Sequence, residues 1–181
     1  VAKYFESIGY PVLFMDIVGH EVLKKRSVFE ILVKRFGVGL LDENGEIDRR
    51  KLGSIVFSDR ESLKFLNETM HPVMNGMAKE WIDMQCEKEE AICFVEAAIL
   101  FEMKMDTFLD KILFVDLTEN KILERTFKRG RKNVEEIQRI LSTQQAKAAE
   151  IDYVITNDGT LEELYEKCDA FEKNVLNALR K

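Results

Sequence analysis

Apolar residues fall along this chain in two alternating patterns, short unbroken runs and longer stretches at helical spacing. Residues 1–8 place Ala2, Phe5 and Ile8 on one helical face, with Gly9 as the cap. Pro11-Val12-Leu13-Phe14-Met15 is nearly continuous in apolar side chains, as a strand buried on both faces of a parallel sheet must be. The run stops at Asp16. Helices are expected over about 17–25 and 28–36, and Asp42-Glu43-Asn44-Gly45 carries turn chemistry. Helical stretches follow at 49–57 and 59–70. His71-Pro72 then predicts a break, because proline biases its predecessor away from helix, and a new helix runs over about 73–87. Further strands are expected over 91–100, 111–116 and 153–155. Thr118 is placed to cap a helix, 134–150 reads as another, and Thr160 caps a long C-terminal helix with Glu162 and Glu163 in its first turn.

Strands alternating with helices mean an α/β fold with a parallel sheet flanked by helices. The helical block over 42–88 is too long for an ordinary connection and reads as an inserted substrate-binding subdomain. One domain over 1–181 is expected, with its core in 1–41, 89–122 and 151–181, the acceptor-binding insertion in 42–88 and a lid in 123–150. A length of 181 residues fits a single domain, and 46% apolar residues supply a sizeable core.

Charge narrows the function. A net charge of −6 disfavours broad nonspecific binding to nucleic acid, although a local basic patch still suits phosphates. No apolar run approaches a membrane span, and the opening residues lack a secretory pattern. Cys86, Cys93 and Cys168 show neither metal-ligand spacing nor a disulfide framework, so a reducing cytoplasm fits best.

Several residues carry candidate chemistry. Asp16 ends a buried strand, where a carboxylate can accept a proton from a hydroxyl nucleophile; it also suits a helix N-cap. Glu96 is a charge inside an apolar run, which calls for a magnesium-water, substrate or ion-pair partner. Arg125 and Arg129 lie four apart on one helical face, ready to clamp a nucleotide phosphate or simply to face water. Lys128-Arg129-Gly130-Arg131-Lys132 also has the composition of a nucleic-acid patch, but no accompanying motif supports that use. Asn157-Asp158-Gly159 is a polar turn after the last strand, the end of an α/β strand where ligands are held.

Taken in order, these residues resemble the dephospho-CoA kinase family, P-loop kinases related to the nucleoside monophosphate kinases. The likeness runs through Val12-Leu13-Phe14-Met15-Asp16-Ile17-Val18-Gly19-His20-Glu21-Val22, Gly45-Glu46-Ile47-Asp48-Arg49-Arg50-Lys51-Leu52 and Met70-His71-Pro72-Val73. It continues through Glu96-Ala97-Ala98-Ile99-Leu100-Phe101-Glu102, Arg125 with Arg129, Arg139-Ile140 with Gln144, and Asp152-Tyr153-Val154-Ile155-Thr156-Asn157-Asp158-Gly159. The resemblance implies transfer of the ATP γ-phosphate to the ribose 3′-hydroxyl of dephospho-CoA, the last step of coenzyme A synthesis, with Mg2+. It implies that Asp16 is the catalytic base and that Arg49 and His71 lie in the acceptor-binding region, with Glu96 also facing substrate. Arg125 and Arg129 match lid arginines, and Asn157 and Gly159 match the loop near the adenine.

The chain departs from that pattern in places. Phe14 stands where many relatives have an acidic residue, Ala98-Ile99-Leu100 replaces Pro-Leu-Leu, and Ala148 occupies a frequent arginine position. No G-x-x-x-x-G-K-[ST] occurs in the 181 residues, although its amides and lysine hold the β- and γ-phosphates in such kinases. In the family that loop comes just before the helix that here opens at Val1. The expectation is therefore an incomplete sequence, lacking the first strand and phosphate loop, and no useful transfer by residues 1–181 alone. Two alternatives remain open: another small-molecule kinase of the same fold, or a silent domain that binds CoA-like ligands.

Overall fold

The computed structural model describes residues 1–87, 92–117, 121 and 148–179. These form two compact units, one of Val1–Val12, Lys88–Phe94 and Ala98–Lys181, the other of Leu13–Glu87 and Val95–Ala97. The expected lid over 123–150, with Arg125 and Arg129, lies outside the described residues except for a short 3-10 turn at Ala148–Glu150.

In the first unit, helix α1 (Ala2–Ser7) buries Phe5 completely. Its exit is set by backbone geometry. Gly9 takes φ +99°, a left-handed conformation that glycine adopts without Cβ strain. Gly9 N–H then donates to Glu6 O at 3.1 Å and Tyr10 N–H to Phe5 O at 3.0 Å. This is the doubly bonded Schellman ending, and the Tyr10 ring closes edge-on over Phe5 with centroids 5.9 Å apart. Phe5 also stacks on Phe94 at 4.5 Å and packs among Ile155, Leu164, Cys168 and Leu176.

Strands β3 (Leu113–Asp116) and β4 (Tyr153–Thr156) of the same unit pair in parallel, Leu113 opposite Tyr153 and Asp116 opposite Thr156. Asp152 fixes the start of that register. Its carboxylate accepts from Ile112 N–H at 2.9 Å and from Lys111 Nζ at 2.7 Å. Helix α6 (Leu161–Phe171) covers the pair, burying Leu164 and Cys168. A Tyr4–Asp169 hydrogen bond joins α1 to α6 and, aided by burial, pushes the tyrosine phenol up to about 12.

The second unit is helical. Strand β1 (Val12–Phe14) runs directly into α2 (Met15–Lys24), followed by α3 (Arg26–Phe36), α4 (Arg49–Ser58) and α5 (Arg60–Cys86). Asp48 caps α4 by accepting from Arg50 and Lys51 N–H, and Asp59 caps α5 by accepting from Glu61 and Ser62 N–H. In the turn before α4, Asp42 Oδ1 accepts from Asn44 N–H at 2.8 Å and Glu46 N–H at 3.0 Å, with Gly45 at φ +77°. Strand β1 pairs with β2 (Phe94–Glu96), so the described strands join two by two.

Three expectations change. The break at His71-Pro72 is absent, and α5 continues through Pro72. Proline removes one amide and crowds the carbonyl four residues earlier, a local cost of about 3 kcal/mol. Both halves of α5 nevertheless bury side chains, Ser62 and Met70 before the proline and Ala78 and Gln85 after it. Packing on either side outweighs the local penalty. The strand expected over 91–100 is ordered as strand only at Phe94–Glu96. The apolar residues beyond it close turns instead, Met103 N–H reaching Ile99 O at 3.0 Å and Met105 N–H reaching Leu100 O at 3.1 Å. A short apolar run has no period with which to tell the two apart. Finally, Asp16 is not the N-cap of α2. Phe14 takes that position, and Asp16 lies inside the first helical turn.

Candidate active site

Helix α2 begins without a break at the end of β1, so its first turn opens at the strand's carboxyl end. Asp16 sits in that turn, exposed. An acidic side chain is favoured in the first turn of a helix by the helix dipole, and a carboxylate there can accept a proton from a hydroxyl.

Glu96 ends β2, the strand paired with β1. Its pKa is raised, first by partial burial and then by the negative charge of Asp16. Two carboxylates that feel each other in this way favour a shared proton, a cation or a hydroxyl between them.

His20 follows Asp16 by one helical turn on the same face of α2. Its Nε2 meets the Arg49 guanidinium, carried on the first residue of α4. Arg49 is thus delivered to the α2 surface by the Asp48 cap and the turn that precedes it. Between Asp16 and His20 on this face, Gly19 lets α5 approach closely. A Cβ there would lie 3.4 Å from Met74 Cε. His71 precedes Met74 by three residues, hence on the same face of α5, and is partly buried. Asp16, Glu96, Arg49 and His71 therefore all belong to the α2 neighbourhood. His20 escaped the sequence reading as a site residue. Its four-residue spacing from Asp16 was the signal available.

Asn157 and Gly159 lie in the other unit, in the turn from β4 to α6. Asn157 N–H extends the ladder to Asp116 O at 2.8 Å. Thr160 and Glu163 close a reciprocal capping box, in which Thr160 N–H donates to Glu163 Oε2 at 2.8 Å. That carboxylate occupies the space beside Gly159, where a Cβ would come within 1.7 Å of it. A Cβ at this position would displace the Glu163 carboxylate, so glycine leaves the capping box undisturbed. Arg125 and Arg129 fall outside the described residues.

Comparisons with known proteins bear on the fold and the family. A solved dephospho-CoA kinase structure from Campylobacter jejuni superposes with a TM-score of 0.72 at 24% identity, covering 98% of this chain and 90% of that one. A solved Thermus thermophilus structure superposes with a TM-score of 0.67 at 28% identity, covering 96% of this chain and 89% of that one. The fold is that of the P-loop kinases, α/β with parallel strands flanked by helices. The dephospho-CoA kinase (CoaE) family model matches residues 1–163. A dephospho-CoA kinase of Fusobacterium nucleatum is 34% identical over 174 residues, covering 94% of this chain and 89% of its own. One from Oryza sativa subsp. japonica is 34% identical over 188 residues, covering 99% of this chain and 80% of its own. The chain belongs to the dephospho-CoA kinase family.

Proposed function

We propose that this protein transfers the γ-phosphate of ATP to the ribose 3′-hydroxyl of dephospho-CoA. Family membership supplies the reaction class and the acceptor. The observation that carries the residue roles is the gathering of Asp16, Glu96, His20 and Arg49 around the first turns of α2. Phosphoryl transfer asks little covalent chemistry of a protein and much positioning and charge compensation. In this reading Asp16 accepts the proton of the attacking hydroxyl. Arg49 holds an anionic group of the acceptor as a planar donor fork, and His71 lines the same region from α5. Asn157 and Gly159 receive the nucleotide, and Arg125 and Arg129 clamp its phosphates.

Magnesium accompanies ATP in this reading. No group of three or more His, Cys, Asp or Glu suited to a metal occurs among the described residues. Magnesium needs only one or two protein carboxylates when phosphates and water fill the rest of its shell. Glu96 would suit a contact through magnesium-bound water, and the ion would neutralise phosphate charge there.

The test is transfer of labelled phosphate from ATP to dephospho-CoA by the protein expressed from its native reading frame. Asp16→Asn is expected to lower the rate by about 10²–10⁴-fold while leaving acceptor binding intact. An unchanged rate would remove Asp16 from the role of base.

A further inference from the structure

The turn between β4 and α6 is held from an unexpected direction. Lys167 stands in the middle of α6, eleven residues beyond the end of β4. Its Nζ donates to Thr156 O at 2.9 Å, to Thr156 Oγ1 at 2.9 Å and to Asp158 Oδ1 at 3.0 Å. A lysine ammonium has three N–H donors and no acceptor. The three bonds use all of them on two residues of one turn, which leaves the side chain committed to the protein.

Each bond alone is modest. The Lys167 and Asp158 side chains are 40% and 51% exposed, so their ion pair is screened by water. Together the bonds act as a clip. One side of the turn is tied to β3 through Asn157 N–H and Asp116 O, and the other to α6 through the Thr160–Glu163 box. Lys167 ties the middle. With Gly159 pressed against the Glu163 carboxylate, the turn has little freedom. Preorganising a binding loop raises affinity by reducing the ordering cost on binding.

We propose that Lys167 is a positioning residue for the nucleotide, holding the 156–159 turn in its binding conformation without itself touching the ligand. The proposal rests on the reading of Asn157 and Gly159 as nucleotide-binding.

The experiment compares wild-type protein, Lys167→Met, Lys167→Arg and Thr156→Val, expressed from the native reading frame. Hydrogen exchange of 156–160 and the dissociation constants of ATP and of dephospho-CoA are measured. Lys167→Met is expected to speed exchange in the turn and weaken ATP about tenfold, the loss of a charged hydrogen-bonded anchor. Dephospho-CoA affinity should stay within about twofold, since the clip serves one ligand only. Thr156→Val should give a smaller loss of the same kind, and Lys167→Arg should recover most of it. Unchanged exchange in Lys167→Met would overturn the clip. Equal loss of both ligands would reduce the lysine to a general stabiliser and overturn the positioning role. Gly159→Val probes the underlying reading separately. If it leaves ATP affinity untouched, the turn is not the nucleotide site, and the positioning role falls with that assignment whatever the exchange data show.

Discussion

A guanidinium on the first residue of a helix is poorly constrained unless something meets it, and at Arg49 the partner is the imidazole of His20. Arginine has five donors and no acceptor, so the contact with the His20 ring orients part of the fork and leaves the rest for an anion. Arg49→Ala is expected to weaken dephospho-CoA about tenfold or more, since a charged hydrogen bond to phosphate is lost. His20→Ala should cost about threefold, and His20→Gln, which retains an acceptor, less. Titration calorimetry reads all three, and an acceptor affinity indifferent to Arg49 would move the acceptor elsewhere. Asp16 was legible in the sequence as a carboxylate at the end of an apolar strand, whereas Arg49 was reached only through the family resemblance. For His20 the sequence shows only its spacing from Asp16, not the contact with Arg49 twenty-nine positions away. Lys167 was hidden for the same reason, since nothing in its neighbours along α6 predicts bonds to Thr156 and Asp158.

Among the elements, α1 is held by the contacts of Phe5 and by the Gly9–Tyr10 ending. Phe5→Ala removes a fully buried ring stacked on Phe94, and a loss of about 3–5 kcal/mol is expected. Chemical denaturation measures it, and a loss below about 1 kcal/mol would mean the surrounding side chains collapse into the space. Ile8, expected on the buried face of α1, is exposed, whereas the Gly9 ending of α1, the capping role of Thr160 and the positions of β1, β3 and β4 were legible because period and cap residues are local signals. Helix α5 was not. His71-Pro72 carries a strong local stop, and only the burial of Met70 on one side and Ala78 on the other explains why it fails. Strand β2 was overdrawn for the opposite reason, because Ala97 to Phe101 is apolar enough for a strand but spends its backbone on turns.

Across the whole molecule, stability should respond to acid through named carboxylates. Asp48 is held below its ordinary value by the amides of Lys51 and Arg50, and Asp59 by Ser62. Asp152 is lowered by Lys111 and Asp158 by Lys167. For each, the folded pKa lies below the unfolded one. Their stabilisation is therefore fully present above the unfolded carboxylate value of about 3.9 and is lost as pH falls through the folded values. Glu96 runs the other way, being raised, and gains protection on protonation. The four lowered groups outnumber it, so the denaturation midpoint should fall as pH drops below about 4. A midpoint flat from pH 5 to about 2.5 would contradict the carboxylate bonds described. The division into two units also has a consequence for how the chain is made. Phe5 finds its partners in Phe94, Ile155, Leu164 and Leu176, whereas α2 to α5 lie within one uninterrupted stretch, Leu13–Glu87. During synthesis on the ribosome, the helices of that stretch emerge with most of their partners already at hand. Phe5, made before that stretch, must wait, exposed, until Ile155, Leu164 and Leu176 have followed it. That interval leaves the Phe5 ring open to capture by a chaperone until its partners arrive.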